Sequence, residues 1–228
     1  MTELRDLLEM RRSTRRFDPG RDVSPEVLAS MLRAPLAMPH AGNTYDWRAV
    51  VLLRRTRDPS RWPAIYEAML SQNYLEEAAA VVVWTVRPAW WEANYRRNVD
   101  DLVQRGLIDA ARHGALLELI AAGPGGEFSL PSALAGEAMM GVAAAMLAAM
   151  DAGLGATITA CRPARLAAAL GVPEDAVVLP FGVLAIGHPA GAPAGRPAKP
   201  AFTDLYYLNR WGQELDLPLG TETTTAQS

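Results

Sequence analysis

Cysteine occurs once in the 228 residues, as Cys161, and lysine once, as Lys199. A lone thiol cannot close an intramolecular disulfide, which excludes the cross-linked scaffold of a small secreted domain and fits the reducing cytoplasm. Histidine is nearly as scarce, and His40, His113 and His188 lie too far apart for zinc-ligand spacing, so no metal site is expected. None of the three stands in a pattern that pairs it with a nucleophilic serine or with Cys161, and a small cysteine of this kind is most simply a buried one. Glycine-rich phosphate loops of the Walker and dinucleotide types are missing. Gly153 and Gly155 lack the third glycine and read as a helix C-cap and turn. Met1 to Arg16 mixes acids and arginines without an apolar core, so neither a secretory signal nor a membrane span is expected. A formal net charge of -3 provides no global basic field, which argues against nucleic acid and membrane surfaces as partners.

What is present is a chain with 50% hydrophobic residues, enough for a substantial core. The expectation is one domain over 1–220 followed by a disordered tail over 221–228. Helices are predicted at Leu4 to Met10, from Ser24-Pro25 to about Pro35, from Asp58-Pro59 to about Leu70, and from Pro163 to Leu170, where Gly171 ends the last. Strands are predicted at Ala49 to Leu53, Ala80 to Val86 and Val177 to Ile186, with a short extended piece after Gly155. Pro88 to Ala122 is helical in texture with a bend at Gly106, and Gly123 to Gly126 breaks it. Ser132 to Ala152 has Ala, Met, Leu and Gly on nearly every face, with Glu137 and Asp151 its only charges, and is expected to be buried all round in an interior or a subunit interface. No internal repeat is found.

The cationic cluster Arg11-Arg12-Ser13-Thr14-Arg15-Arg16 precedes Phe17. Arginine presents a planar fork of donors that matches phosphate oxygens in pairs, so the cluster reads as an anion grip. Twenty-one of the 22 basic residues are arginine, so an ordinary solvated charged face remains the alternative. Further on come Ala34-Pro35, the loop from Pro39 to Trp47, Asn73-Tyr74 before the second strand, Gly153 and Gly155, and the basic pair Arg196 and Lys199. In this order the motifs resemble the FMN-dependent nitroreductase family over most of the chain. The arginine cluster looks like that family's N-terminal phosphate and ribityl grip, and Pro39 to Trp47 resembles its Pro-Ser-x-x-Asn-x-Gln-Pro-Trp loop.

The resemblance implies an α+β fold, a mixed sheet flanked by helices in three α/β/α layers, and a homodimer with FMN at its interface. Arg11, Arg12, Ser13 and Arg15 would hold the phosphate and ribityl chain, with Arg196 and Lys199 closing on the same phosphate; Ala198 replaces a further basic residue of the pattern. Pro39, His40, Ala41 and Asn43 would come from the other subunit. His40 stands where serine is common, and Tyr45-Asp46 where Gln-Pro is common. Asn73 resembles a ring-edge asparagine, though a helix-terminal role explains it as well. The backbone amides of Ala160 and Cys161 align with the place that faces the flavin N5 and O4. Trp90, Trp91 and Tyr95 fall in the region that covers the flavin in that family; they read either as an aromatic substrate wall or as core packing. No catalytic side chain is indicated.

The implied activity is reduction of a nitroaromatic, quinone-like or other small organic acceptor at the expense of NADH or NADPH. Two alternatives stand beside it: a biosynthetic flavin-dependent dehydrogenase or oxidase that acts on one metabolite with oxygen as acceptor, and a flavin-binding protein without turnover.

Overall fold

A computed structural model describes residues 3–121, 130–192, 195, 198–201 and 204–214. By its contacts the chain divides into Met1–Ala194 and Gly195–Ser228. In the second unit Tyr207 and Glu214 form an isolated bridge around a turn in which the rings of Tyr207 and Trp211 lie 4.9 Å apart. The expected tail at 221–228 lies outside the described residues, as does the break at Gly123 to Gly126.

In the first unit, helix α1 (Leu4–Met10) buries only Leu7. Helix α2 (Pro25–Arg33) starts as expected, with the Ser24 hydroxyl accepting from the Val27 N–H and proline at the first turn. It stops at Arg33, and a 3₁₀ turn, Ala34–Ala37, carries the chain through Pro35. Strand β1 (Trp47–Leu53) begins earlier than its apolar run because all of it pairs with β2 (Ala80–Val86), Trp47 opposite Val86 and Leu53 opposite Ala80. Helix α3 (Trp62–Ala68) begins later than Asp58-Pro59 suggests. There the Asp58 carboxylate instead accepts from the N–H and hydroxyl of Ser60 and closes a local turn.

Helix α4 (Tyr74–Glu77) precedes β2. After it come a 3₁₀ turn, Pro88–Trp90, helix α5 (Trp91–Gln104) and helix α6 (Ala110–Ala121). The bend between α5 and α6 lies at Gly106, whose φ of +67° suits glycine. Helix α7 (Leu130–Asp151) leads to β3 (Gly155–Thr159), helix α8 (Pro163–Leu170) and β4 (Val177–Gly187).

The sheet runs β1-β2-β4-β3. Every strand pair is antiparallel, which corrects the expectation of a mixed sheet. Among the described residues, the parallel element is a single bridge from Ser13 to Ala156. Strand β2 is buried along its whole length, and its alternating side chains serve two cores. Val81 and Val83 pack with Trp62, Ile65, Leu75 and Leu166. Val82, Trp84 and Val86 pack with Met31, Leu134, Val142 and Leu184. Helices therefore cover both faces, in the three layers anticipated.

Helix α7 is long and apolar enough to cross a membrane by length and composition. Here it lies on the second core through Leu134, Ala138, Val142, Ala145 and Ala149, while Gly136 and Met140 on another side are exposed. Within the single chain, then, one face of the helix meets the sheet and another is exposed. Its end is a Schellman motif, with Leu154 N–H donating to Ala149 and Gly153 N–H to Met150. Gly153 takes a φ of +75° there.

Candidate active site

The arginine segment is held in place by its backbone. After α1 the Thr14 N–H donates to the Ala156 carbonyl of β3 at 3.0 Å. Two residues later the chain pairs antiparallel with the segment after β4: Ala190 N–H donates to Arg16 and Asp18 N–H to His188. Phe17 anchors this stretch, its ring buried in the first core and its N–H donating to the Glu77 carboxylate at 2.8 Å. Arg15 and Arg16 are left exposed beside the buried ring.

A cavity of about 430 Å³ opens beside this segment. Arg12, Ser13, Thr14, Arg15 and Arg16 form one wall, and Pro189, Ala190, Gly191 and Ala192 another. Met10, Met150 and Leu154 give it an apolar side, with Gly155 between them and Thr14. Among the described residues the lining contains three arginines and no carboxylate, so the site favours an anion. The Arg12 guanidinium also donates to the carbonyls of Glu9 and Arg11 and closes the end of α1. Where α7 points its C-terminus at the cavity, the Schellman bonds tie up the Ala149 and Met150 carbonyls that would repel an anion.

The loop before β1 forms a second constellation. Ala41–Asn43 is a 3₁₀ turn, and the Ala41 N–H donates to the Glu137 carboxylate of α7 at 3.0 Å. Both ring nitrogens of His40 are engaged. The Trp47 indole donates to Nε2 at 2.8 Å, which leaves the proton on Nδ1 for the Met38 carbonyl at 2.9 Å. His40 is therefore a structural tie of the loop in this chain. Pro39, Ala41 and Asn43 are exposed.

The remaining expected residues fall in several places. Asn73 is exposed at the start of α4, where its carbonyl accepts from Glu76 N–H and its side chain caps nothing. Trp90 lies against two guanidinium groups, Arg87 at 3.5 Å and Arg48 at 4.8 Å from its ring centre. Trp91 packs against the second core, and Tyr95 lies 5.0 Å from it, ring to ring. None of these three borders the arginine cavity, and Arg11 does not border it either. Arg196 lies outside the described residues; Lys199 is exposed in the second unit.

Ala160 and Cys161 follow β3. The Cys161 N–H donates to the Pro180 carbonyl at 2.9 Å, so that amide is already used, and its thiol donates to the Leu179 carbonyl at 3.4 Å. Burial raises the Cys161 thiol to about 11, so the thiolate forms only in strongly alkaline solution. Iodoacetamide is therefore expected to leave the native chain almost unlabelled at about pH 8, below the raised value, and to label it fully after denaturation. Intact-mass analysis checks this, and rapid native labelling would contradict the thiol's burial.

Residues 8–188 match the model of the Nitroreductase family. The chain belongs to the nitroreductase family. Solved nitroreductase-like structures share its fold. A gut-bacterial enone reductase of fatty acid saturation metabolism superposes with a TM-score of 0.73 at 20% identity, covering 91% of this chain and 99% of that one. A candidate nitroreductase in complex with FMN from Exiguobacterium sibiricum gives 0.69 at 18% identity, over 87% and 94% of the two chains. A candidate NAD(P)H:FMN oxidoreductase from Staphylococcus epidermidis gives 0.75 at 16% identity, over 91% and 96%. Among curated proteins, an NADH dehydrogenase of Thermus thermophilus is 42% identical over 74 residues, which are 32% of this chain and 33% of that protein. The match thus spans about a third of the relative's length.

Within this nitroreductase-family chain, the cavity includes residues that the motif reading passed over: Thr14, Arg16 and Pro189 to Ala192. Arg16 was legible as part of the cluster. The 189–192 wall carries no side-chain signal, since proline, alanine and glycine contribute only backbone and shape.

Proposed function

We propose that this chain binds FMN and passes reducing equivalents from NADH or NADPH to a small organic acceptor, nitroaromatic or quinone-like, as a cytoplasmic homodimer. The observation that carries the reading is the cavity at the arginine segment, with three arginines, two hydroxyl residues and, among the described residues, no carboxylate. A phosphate monoester carries nearly two negative charges at neutral pH, and several charge-assisted hydrogen bonds must replace its water when it is bound. The lining fits that demand, and the apolar side at Met10, Met150 and Leu154 suits the less polar remainder of a mononucleotide. The FMN bound by the Exiguobacterium relative and the cofactor in the name of the Staphylococcus relative support the same assignment.

In this reading Arg12, Arg15 and Arg16 neutralise the phosphate, Ser13 and Thr14 supply hydroxyl donors, and Arg11 adds positive charge nearby. Asn73 and the Ala160 amide stand at the ring edge. Pro39, Ala41 and Asn43 reach the cofactor of the partner subunit, with His40 tying their loop and the Asn43 amide able to donate and accept. The exposed stretch of α7 at Gly136 and Met140 is apolar and supports the subunit contact. When bound, FMN supplies the hydride and electron-transfer chemistry that side chains lack, while the protein orients it, sets the charge around it and excludes water. The enone reductase relative extends the acceptor class to conjugated carbonyl compounds.

The test is an absorbance spectrum of the purified protein, with identification of any ligand released by heat, followed by NADH or NADPH oxidation with a quinone. Flavin bands, released FMN and acceptor-dependent oxidation are expected. A colourless chain that takes up no added FMN would overturn the reading. Bound FMN that neither nucleotide reduces would leave the two other readings, a dehydrogenase or oxidase of one metabolite, or a binding protein without turnover if dithionite and oxygen fail to cycle the flavin as well.

A further inference from the structure

The loop between the 3₁₀ turn at Ala41 and strand β1 has an unusual backbone. Gly42, Asn43 and Tyr45 all have positive φ, at +59°, +54° and +48°. Asparagine tolerates this region, but for a bulky aromatic such as Tyr45 it is a genuine outlier. The segment also buries Thr44 and Asp46, whose Oγ1 and Oδ2 atoms find no protein partner among the described residues. Such a conformation persists only where its surroundings over-determine it.

The surroundings that do so come mostly from one face of α5. The Asn98 side-chain amide donates to successive carbonyls of the loop, Gly42 at 2.9 Å and Asn43 at 2.7 Å. One turn earlier Tyr95 lies against Gly42, so close that a Cβ there would come within 2.4 Å of the ring. Asn94 donates to the Asp46 carboxylate and accepts from Arg97 at 2.9 Å. Outside α5, Tyr45 donates its hydroxyl to the Leu36 carbonyl at 2.8 Å. Carbonyls of left-handed residues turn away from the usual chain direction, and one amide that satisfies two of them in sequence is matched to that geometry and to no extended one.

We propose that Asn98 is a positioning residue: by holding the Gly42 and Asn43 carbonyls it fixes the left-handed turn that presents the Asn43 side chain to the FMN of the partner subunit. This rests on the function proposed above. It also makes α5 the element that sets the loop, so a change in the helix that carries Trp91 and Tyr95 alters cofactor contacts without touching them.

The test is a double-mutant cycle on FMN affinity, read by quenching of flavin fluorescence, with the visible spectrum of bound flavin and the melting temperature of the apoprotein as companions. Asn98→Asp keeps the shape but sets carboxylate oxygens against the two carbonyls; Asn98→Ala merely removes the donors and serves if the first variant fails to fold. Each is expected to weaken FMN binding about tenfold, as is Asn43→Ala, the scale of one lost hydrogen-bonded contact. In an Asn43→Ala background the Asn98 change is expected to add less than about twofold, because the contact through which it acts is gone. A full, additive loss in that background would make Asn98 a general structural residue and overturn the proposal. So would unchanged affinity and spectrum in either Asn98 variant while the wild type binds FMN. A wild-type chain that takes up no FMN would overturn the proposed function and this inference together.

Discussion

Replacing Arg12 and Arg15 together by alanine is expected to weaken FMN binding by about a hundredfold or more. Charge-assisted hydrogen bonds contribute about 1.5–3 kcal/mol each, and two lost partners of one dianion act on the same bound group. Isothermal titration of the apoprotein with FMN checks this. Arg11→Ala is the internal contrast, since Arg11 belongs to the same cluster yet lies off the cavity; it is expected to change affinity less than about threefold, the scale of an exposed charge at a distance. Affinity should also fall with added salt in the wild type and fall less steeply in the double variant, because screening acts on charge pairs the variant no longer has. Equal losses from Arg11→Ala and from the Arg12 and Arg15 pair would mean that only the general positive field matters.

Gly155→Ala is expected to destabilise the fold by about 1–3 kcal/mol, the usual cost of an added group in a packed site. For a chain of this size that corresponds to a melting temperature lower by roughly 3–10 °C. The reason is local. A Cβ at Gly155 would stand 2.6 Å from both Cγ2 and Oγ1 of Thr14, and 2.8 Å from its Cβ. Thr14 cannot swing away cheaply, because its N–H is tied to Ala156 in the same strand. Relief must come from the backbone, and the backbone that moves carries Ser13, Arg15 and Arg16, so FMN affinity should fall along with stability. In a Thr14→Gly background the Gly155→Ala step should cost little, and calorimetry on the four proteins of this cycle gives the coupling directly. Full additivity would show that contact with Thr14 is not the cause.

Both results depend on a placement that local signals do not encode. Ser24-Pro25 announces α2 and Gly171 ends α8 because caps act over three or four residues, so the chain's own neighbours suffice. The buried strand β2 is legible for a similar reason: an unbroken run of mostly apolar, β-branched residues leaves no other economical conformation. Trp47 and Arg48 enter β1, by contrast, only because β2 lies alongside to pair with them. Asp58 marks the wrong residue for the start of α3, since its carboxylate serves a turn as readily as a cap.

The site divides along the same line. The sequence alone establishes that arginines crowd around Ser13 and that an anion is their natural partner, because charge and donor geometry belong to the residue types themselves. It likewise establishes that Cys161 has no disulfide partner within the chain and that the three histidines lack zinc-ligand spacing. Tertiary structure decides which arginines face a common cavity, and it excludes Arg11 from it. It also engages both nitrogens of His40 with Met38 and Trp47, and turns one face of α7 to the sheet while leaving Met140 outside. Each of these outcomes rests on contacts between segments far apart in the chain, such as Thr14 with Ala156 and Ala41 with Glu137, whose geometry is set by packing the whole core at once.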